Sequence, residues 1–374
     1  MKKILFITHE ATRTGAPFVM LYFMQWLRAN HKIHIDVLSL KDGGLREEFK
    51  QVANDYFLLP VSSTAIQNKI SKFITKVKFK ITGIKKMGFM EEISNRHYDI
   101  VYSNTIVSIP YGDRIKSINP NTKHVAHIHE LNATIKIMLP DLSSYSKNID
   151  CFIAASNLVK ENLISNWAVP EVKVIRVYEC SKVKTTQSIK KNKVFTIGGS
   201  GTVHWRKGCD LFLQVARYVH KNSIAETKIE FVWVGEISKI EKIIIEEDLR
   251  KLDLVNMVTF VGQQKETSSF YQNFDVFLMT SREDPFPLVC IEMGMFSKPI
   301  VCFKGATGSE EIISKGGGVI VPYLDIEAMG DQVISYLNNP EMRNKHGEIN
   351  KNEFSKFSPE IICPQLWSVI EKTN

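Results

Sequence analysis

Short apolar segments that alternate with helical segments constrain the fold of this chain more than any other feature. The first half contains six such strand-like segments, KKILFIT, IHIDVLSL, DIVYSN, HVAHIH, CFIAAS and VKVIRVY. The segment after the first of them, FVMLYFMQWLRAN, predicts a helix. Nearly continuous apolar strands are typical of a parallel sheet that is covered by helices on both faces. The chain is therefore expected to be an α/β protein.

A polar, lysine-rich run, KVKTTQSIKKNK at residues 182–193, interrupts this alternation and predicts a linker. The pattern then restarts with VFTIGG, CDLFLQVARYV, IEFVWVG, VTFVG, FDVFLMT, PIVCF and GGVIVPY, with helical stretches between them. A chain of 374 residues is long enough for two such domains. We expect two Rossmann-like, doubly wound domains that face each other across a cleft, over residues 1–183 and 184–355. We expect residues 356–374 to form a last helix that packs back towards the first domain.

Composition and cysteine pattern limit the class of protein. With 44% hydrophobic and 24% charged residues, the chain is globular rather than disordered. The apolar stretch at residues 4–7 is followed by His9 and Glu10, so it predicts a first strand and not a signal peptide. No apolar run approaches the length of a membrane span. The six cysteines lack C-x-x-C spacing, which indicates buried reduced thiols, a cytoplasmic location and no cysteine metal site.

The formal net charge of +8 is concentrated in one segment. Residues 65–90 contain no acidic residue, and isoleucine, phenylalanine and valine recur there every three or four positions with lysines on another face. This pattern predicts a basic amphipathic helix over residues 66–86 that lies on an anionic membrane, on the inner face of the plasma membrane. An ordinary surface helix with a solvated lysine face remains the alternative. We expect no nucleic-acid partner, because helix-turn-helix, zinc and RNP-type signals are absent from the sequence.

Two loops of the first domain carry candidate residues at the carboxyl ends of predicted strands. In HEATRTGAPF, Gly15 precedes a helix whose first N–H groups could approach a diphosphate, although a plain β–α turn would look the same. In HVAHIHE, His129 and Glu130 come directly after a strand. A histidine there can hydrogen-bond a sugar hydroxyl or exchange a proton with one. His127 is the competing candidate, but it lies further inside the apolar run, so we prefer His129.

The loop IGGSGTVHWRKG, after the first strand of the second domain, combines a glycine-rich turn with two cations, Arg206 and Lys207. A diphosphate leaving group gains negative charge in the transition state, and two cations can neutralise that charge without a metal ion. The alternative is a surface loop with a basic pair at the start of a helix. The loop is not a P-loop, because G-x4-G-K-[ST] is absent.

The run SREDPFPLVCIE places two carboxylates where a predicted strand ends and a predicted helix begins. Glu292 lies one or two turns into the helix and could accept hydrogen bonds from both ribose hydroxyls of a nucleotide. Asp284 lies on the loop and could accept hydrogen bonds from a sugar. Leu288 and Val289 would offer N–H groups to a phosphate at the helix start. Glu292 could instead face solvent, but its apolar neighbours make an unpaired carboxylate costly there.

The second half resembles the nucleotide-binding domain of retaining GT-B glycosyltransferases of family four (glycosyl transferases group 1). The resemblance covers residues 193–329 and rests on motifs in the family's order, SGT…RKG, FVWVG, VTFVG, FDVFLMTSREDPFPLVCIE, GATGSEE and GGVIVPY. The first half resembles the family only loosely, through the glycine loop at Gly15, the His129–Glu130 pair and the AAS at residues 154–156. First domains of this family hold the acceptor and vary accordingly.

The resemblance implies roles for the candidate residues. Those for the donor nucleotide and its diphosphate are Gly15, Arg206, Lys207, main chain at Val261 and Gly262, Leu288, Val289 and Glu292, with Glu292 on the ribose. Those for the donor sugar are Asp284, Pro285 and Phe286, and those near the reaction centre are His129 and Asp284, with Glu130 on the acceptor side.

Three departures from the family pattern bear on the donor sugar more than on the nucleotide. Asp284 is one methylene shorter than the first acid of the usual E-x7-E. Pro285 and Pro287 replace glycines and cannot donate N–H groups, so Phe286 and Leu288 must supply any main-chain contact. The arginine often found at the start of the basic loop is missing, at Gly201 or Thr202.

The resemblance implies a metal-independent, retaining hexosyltransferase without a cofactor. It would move a sugar from a UDP- or GDP-sugar to a hydroxyl of a glycan acceptor, polyprenyl-linked, in synthesis of cell-surface polysaccharide or glycoconjugate. The alternatives are a GT-B nucleotide-sugar epimerase and a non-catalytic, membrane-associated GT-B scaffold. A phosphorylase would need a far longer chain with a pyridoxal-phosphate lysine. A NAD-type oxidoreductase is disfavoured because HEATRTG, and not G-x-G-x-x-G, follows Ile7.

Overall fold

The structure is a computed structural model that describes residues 1–60, 88–183, 194–224 and 227–373. The strands and helices are numbered within these residues. The basic amphipathic helix expected over residues 66–86 lies outside them, as do residues 184–193 of the expected linker.

The first domain contains a parallel sheet of seven strands in the order β3-β2-β1-β4-β5-β6-β7. The strands are β1 (Lys3–Thr8), β2 (His34–Ser39), β3 (Asp55–Leu58), β4 (Ile100–Asn104), β5 (Lys123–Ile128), β6 (Cys151–Ala154) and β7 (Val174–Arg176). The strand order reverses between β1 and β4, where Thr8 lies opposite Asn104. All six predicted strands are present. The edge strand β3 was not predicted, because its apolar run is only Tyr56 to Leu59 and the strand is only partly buried.

The second domain contains a parallel sheet of six strands in the order β10-β9-β8-β11-β12-β13. The strands are β8 (Phe195–Ser200), β9 (Ile229–Val234), β10 (Val258–Phe260), β11 (Val276–Met279), β12 (Ile300–Phe303) and β13 (Gly318–Val321). The order reverses between β8 and β11. The segment CDLFLQVARYV, which stood in the strand-like series, is a helix. Its buried residues include Cys209, Phe212, Ala216 and Val219, at a spacing of three or four that fits one helical face.

Helices cover both faces of the two sheets. Those of the first domain are α1 (Gly15–Asn30), α2 (Arg46–Val52), α3 (Phe89–Ser94), α4 (Ile109–Ile118), α5 (Asn132–Met138), α6 (Leu142–Tyr145) and α7 (Asn157–Trp167). Those that follow are α8 (Cys209–Asn222), α9 (Lys239–Lys251), α10 (Ser268–Tyr271), α11 (Leu288–Met295), α12 (Glu310–Ile313), α13 (Ile326–Asn338), α14 (Pro340–Phe354) and α15 (Pro359–Lys372). The expected fold class, two doubly wound α/β domains, is confirmed.

The last helix, α15, packs on α1 of the first domain. The Trp367 ring lies 4.8 Å from the His31 ring between centroids, and the Lys2 ammonium lies 5.1 Å from the Trp367 centroid. The chain thus passes from the first domain to the second and back. All six cysteines are buried and unpaired. Within the described ranges, no helix combines the length and the apolar character that crossing a bilayer would require.

Candidate active site

The loops that follow β1 and β11 face each other across the cleft between the domains. A Cβ atom added at Gly15, the first residue of α1, would lie 3.8 Å from Cγ of Leu288, the first residue of α11. The Ser181 hydroxyl donates a hydrogen bond of 3.1 Å to Oε1 of Glu292, also on α11. Both sheets reverse strand order beside these loops, at β1/β4 and β8/β11, and such positions are where open α/β sheets bind ligands.

Glu292 lies in the second turn of α11, where burial disfavours the charge of its carboxylate. Its one hydrogen bond within the described part of the chain comes from Ser181. Burial raises the pKa of Glu292 to about 7, against which the Ser181 hydroxyl acts only weakly. A half-buried carboxylate with so few donors is suited to accept hydrogen bonds from the hydroxyls of a ligand.

The two predicted cations and the predicted sugar acid form one cluster. Asp284 is 5% exposed, and its Oδ2 lies 2.6 Å from the Lys207 ammonium and accepts a hydrogen bond of 3.1 Å from the Ser281 hydroxyl. The Arg206 guanidinium is 3.5 Å from Oδ1 of Asp284 and donates to the main-chain carbonyl of Glu283 at 2.9 Å. Burial opposes ionisation of Asp284, but Lys207 and Arg206 outweigh it, and its pKa is lowered. Asp284 is therefore a carboxylate that holds both cations in place.

Two glycines shape the loop that carries these cations. Gly201 has φ +137°, and the Lys207 side chain passes over it, so a Cβ there would lie 3.0 Å from Lys207 Cδ. Gly208 has φ +68°, and a Cβ there would lie 2.0 Å from the Thr280 carbonyl oxygen at the end of β11. Only glycine meets both the backbone conformation and the space at Gly208. The loop is thereby held against β11, which brings Lys207 to Asp284.

Pro285 and Pro287 have no N–H group, so any main-chain donor at the start of α11 must come from their neighbours. Pro287 is the N-cap, so Leu288 and Val289 are the first helical residues. The Phe286 side chain is 2% exposed and packs on Tyr178 and Phe357, with ring centroids 4.9 and 5.2 Å away. Phe286 can therefore contact a ligand only through its main chain.

The positions predicted for the base lie two strands away from β8, after β10. The Val261 N–H donates to the Trp233 carbonyl at 3.0 Å, and the Val261 carbonyl accepts from Gln264 at 2.8 Å. Gly262 has φ +74°, and a Cβ there would meet nothing within 4 Å. The open side of this loop is therefore at Gly262 and not at Val261.

His129 is bonded through both ring nitrogens. Nδ1 lies 2.7 Å from Oε1 of Glu179, and Nε2 lies 2.9 Å from Oδ1 of Asn104. The Asn104 amide is oriented by its Nδ2, which donates to the Ala16 carbonyl at 3.0 Å. Burial lowers the pKa of His129, but the Glu179 carboxylate outweighs it and the pKa is raised. The acceptors at its two nitrogens and the raised pKa both favour the protonated form of His129.

The neighbours of His129 have structural partners. Glu130 Oε2 accepts from the main-chain N–H groups of His129 and Ile106 at 2.9 and 3.3 Å, and burial raises its pKa. His127, the competing candidate, is fully buried within β5, and its Nδ1 lies 2.6 Å from the Tyr102 hydroxyl. His127 therefore belongs to the core beneath the cleft.

Two carboxylates that the sequence analysis did not single out join the domains. Glu283 Oε1 accepts from the N–H of Ala133, in the first turn of α5, at 2.9 Å. Glu311 accepts from the Leu158 N–H at 3.2 Å, from Asn157 Nδ2 at 2.8 Å and from the Tyr178 hydroxyl at 2.6 Å. Each acid of the second domain thus caps a helix of the first. Glu283 adjoins Asp284 in the SRED run and Glu311 ends GATGSEE, but nothing in either motif indicates a partner in the other domain.

One group of side chains in the described ranges has the spacing of metal ligands, His34, Asp36 and Asp55. The guanidinium of Arg96 is already paired with both aspartates of this group. The group also lies at the amino-terminal ends of β2 and β3, at the opposite edge of the sheet from the cleft. The ion pairs with Arg96 explain this cluster without a metal.

Comparisons with known proteins agree with this geometry. Residues 182–353 match the family model described as Glycosyl transferases group 1. The amylovoran biosynthesis glycosyltransferase AmsD of Erwinia amylovora is 28% identical over 181 residues, 48% of this chain and 48% of that protein. The capsular polysaccharide biosynthesis glycosyltransferase CapM of Staphylococcus aureus is 23% identical over 61% of this chain and 60% of that protein. The chain thus spans about half the length of the first relative and about three fifths of the second.

The likeness to solved structures extends over the whole chain. Alr3699/HepE of Anabaena, in complex with UDP and glucose, superimposes with a TM-score of 0.80 at 17% identity, over 100% of both chains. The whole chain therefore has the GT-B fold, and its residues 182–353 resemble the glycosyltransferases of group 1, as the sequence predicted.

Proposed function

We propose that this protein is a retaining hexosyltransferase. It moves a sugar from a UDP- or GDP-sugar to a hydroxyl of a glycan acceptor, in synthesis of cell-surface polysaccharide. The observation that carries the proposal is the cleft at the two strand-order reversals, where Glu292 has one donor, Ser181, among the described residues and Asp284 holds two cations. The functions named for AmsD and CapM, and the UDP and glucose bound by Alr3699/HepE, support it.

The nucleotide would lie along the second domain. Glu292 would accept hydrogen bonds from the ribose hydroxyls, which relieves the cost of its buried charge. The base would lie on the open side of Gly262 beside Val261. Arg206 and Lys207 are oriented by Asp284 and would neutralise the charge that grows on the departing diphosphate, so the proposed reaction needs no metal ion or cofactor.

The diphosphate would also lie near main-chain N–H groups from both domains. Leu288 and Val289 begin α11, and Gly15 begins α1 on the facing side of the cleft. Helix N-termini favour anions because their first N–H groups have no intrahelical partner. The 3.8 Å approach of Leu288 to the Cβ position of Gly15 allows both helix starts to contact one ligand.

The sugar would lie between Asp284 and His129. Main chain at Pro285 and Phe286 would line it on one side, and Glu130 would support the acceptor side. Because its two acceptors favour the protonated form of His129, its contribution would be a positive charge beside the reaction centre and not proton removal. The acceptor hydroxyl would attack from the face that the diphosphate leaves, and the departing phosphate would take its proton, so that the anomeric configuration is retained.

We further propose that the acceptor is polyprenyl-linked and that the enzyme works at the inner face of the plasma membrane. The support is the basic amphipathic sequence at residues 66–86. Replacing Lys69, Lys72, Lys76 and Lys80 with glutamine should weaken sedimentation with vesicles that contain anionic lipid. Unchanged sedimentation would contradict membrane binding while leaving the transferase proposal intact.

The decisive experiment measures donor binding and turnover. UDP, GDP, UDP-hexoses and GDP-hexoses are screened for thermal stabilisation of the protein. Each nucleotide-sugar that stabilises it is then tested for slow hydrolysis in the absence of an acceptor. We expect one nucleotide series to raise the melting temperature and Glu292→Ala to abolish both effects. The matched control is Glu348→Ala, an exposed glutamate on α14. Stabilisation without any hydrolysis would favour a scaffold, and no stabilisation by any nucleotide would refute the proposal.

A further inference from the structure

Helix α9 of the second domain is apolar on two opposite faces. Ile245 and Leu249 are buried and pack into the core of that domain. On the other face, Ile240, Ile243 and Ile244 are 72%, 68% and 54% exposed. Their spacing of i, i+3 and i+4 places them on one surface of the helix. A surface helix normally turns one apolar face to the core and charged residues to solvent, so the second apolar face of α9 needs an explanation.

The three isoleucines form a patch of the size that marks interaction surfaces. More than half of each residue is exposed, which leaves roughly 300 Å² of apolar surface open to water in the part of the chain that the structure describes. Single exposed apolar residues are common, but a contiguous patch of this size is often functional. None of the three is among the residues assigned above to the donor or the acceptor. The patch is therefore a feature separate from the proposed active site.

The charges of α9 do not suit an anionic membrane. A helix that lies on anionic lipid carries a surplus of lysine and arginine beside its apolar face. In α9 the basic residues are matched in number by acidic ones, which are Glu241, Glu246, Glu247 and Asp248 against Lys239, Lys242, Arg250 and Lys251. Glu247 also lies one turn after Ile243 on the same face, so a lipid surface in contact with the isoleucines would meet its carboxylate.

The order of the charges fits a second copy of the same helix. Lys239 lies just before the isoleucines, and Glu246 and Glu247 lie just after them. If two copies of α9 pack antiparallel about a two-fold axis at Ile243, this residue meets its equivalent, and Lys239 of each copy lies opposite the two glutamates of the other. A parallel pair would instead put lysine against lysine and glutamate against glutamate. The face is thus self-complementary in the antiparallel arrangement and not in the parallel one.

We propose that this protein forms a symmetric, antiparallel dimer through the exposed face of α9. The isoleucine patch forms the centre of the interface, and Lys239 with Glu246 and Glu247 of the other copy forms its rim. Standard interfaces bury roughly 800 Å² on each side, and the patch supplies less than half of that, so the association is reversible. The inference goes beyond the proposed transferase function and does not depend on it.

The test is sedimentation equilibrium of the full-length protein at concentrations of about 1 to 100 µM. The wild type should pass from monomer to dimer over this range. Ile243→Glu places a charge at the centre of the patch and should weaken the dimer at least about tenfold. Because Ile243 is exposed, the melting temperature of the monomer should not change. The control is Ile361→Glu, the same change at an exposed isoleucine on α15, which should associate as the wild type does.

Charge reversals test the antiparallel packing. Lys239→Glu and Glu247→Lys each put like charges across the interface, so each variant alone should associate more weakly than the wild type. Mixed in equal amounts, the two variants should associate again, because the new glutamate of one then lies opposite the new lysine of the other. Mutual rescue of this kind requires that the two residues meet across an interface between copies of this chain.

Four results would overturn the proposal. The first is a wild type that stays monomeric over the whole concentration range, and the second is a dimer that Ile243→Glu does not weaken. The third is a failure of the mixed charge variants to associate. The fourth is a lower melting temperature of the Ile243→Glu monomer, which would show that the chain itself covers this face. Vesicles of anionic lipid are sedimented with the same proteins, and binding by a monomeric wild type that Ile243→Glu loses would assign the face to a membrane instead.

Discussion

The Glu292 carboxylate should lower the free energy of unfolding, and Glu292→Gln should raise it by an amount that depends on pH. The pKa of Glu292 is raised by burial from 4.5 to about 7. At pH values below 4.5 the carboxyl is protonated in both the folded and the unfolded chain, and it costs nothing. Between 4.5 and 7 the unfolded chain ionises first, so the cost grows with pH, and above 7 it is complete.

The size of this effect follows from the shift. At about 1.4 kcal/mol per pKa unit, the ionised carboxylate destabilises the fold by about 3 kcal/mol at alkaline pH. Burial of the glutamine amide offsets part of that, which leaves a net gain of about 2 kcal/mol for Glu292→Gln. For a domain of this size the gain corresponds to a melting temperature roughly 4–8 °C higher. Near pH 5 the gain should be less than about 1 kcal/mol.

The assay is thermal melting of wild type, Glu292→Gln and the exposed control Glu348→Gln at about pH 5 and about pH 8.5. Glu292→Gln should melt higher only at the alkaline pH, and it should lose the stabilisation by UDP or GDP that the wild type shows. An equal gain at both pH values would show that ionisation of Glu292 is not the cause. A lower melting temperature at alkaline pH would refute the reasoning.

Two further predictions concern the ion pairs of the cleft. Lys207→Met leaves the buried Asp284 carboxylate with Arg206 as its one cation, so it should destabilise the protein by about 3 kcal/mol near neutral pH. The loss should become smaller as pH falls towards the usual aspartate pKa. The reason is that the lowered pKa of Asp284 stabilises the fold only while the group is ionised. Urea unfolding measures this, with Lys207→Arg as the control that keeps the charge; equal losses in both variants would contradict it. Glu283→Ala and Glu311→Ala, combined in one variant, should each weaken the contact between the domains by about 1 kcal/mol of free energy. The radius of gyration in small-angle X-ray scattering should increase, while UDP binding persists. An unchanged scattering curve would count against a role of these acids in domain closure.

The sequence predicts the sheets well because each buried parallel strand is a continuous apolar run that needs no partner to be recognised. The exception, β3, is a short edge strand that is only partly buried, and its three apolar residues are too few to distinguish a strand from the end of the preceding helix. Strand ends were equally predictable, and they place Gly15, His129, Lys207 and Glu292 at the cleft.

Pairings between distant residues could not be predicted in this way. The sequence assigns Arg206 and Lys207 to a diphosphate, yet their partner in the structure is Asp284, 77 positions after Lys207. His129 looks like a free imidazole until Glu179 and Asn104 are seen at its two nitrogens. These contacts depend on how helices and loops from separate segments meet, and no local periodicity encodes that.

The return of the last helix to the first domain determines how the cleft can move. The chain crosses between the domains twice, and the two crossings are joined where the Ser181 N–H donates to the Phe357 carbonyl at 3.1 Å. Any rotation of one domain against the other would displace residues near these joined crossings least. Glu292 is bonded to Ser181 and lies among those residues. The proposed ribose position would therefore change little between an open and a closed cleft.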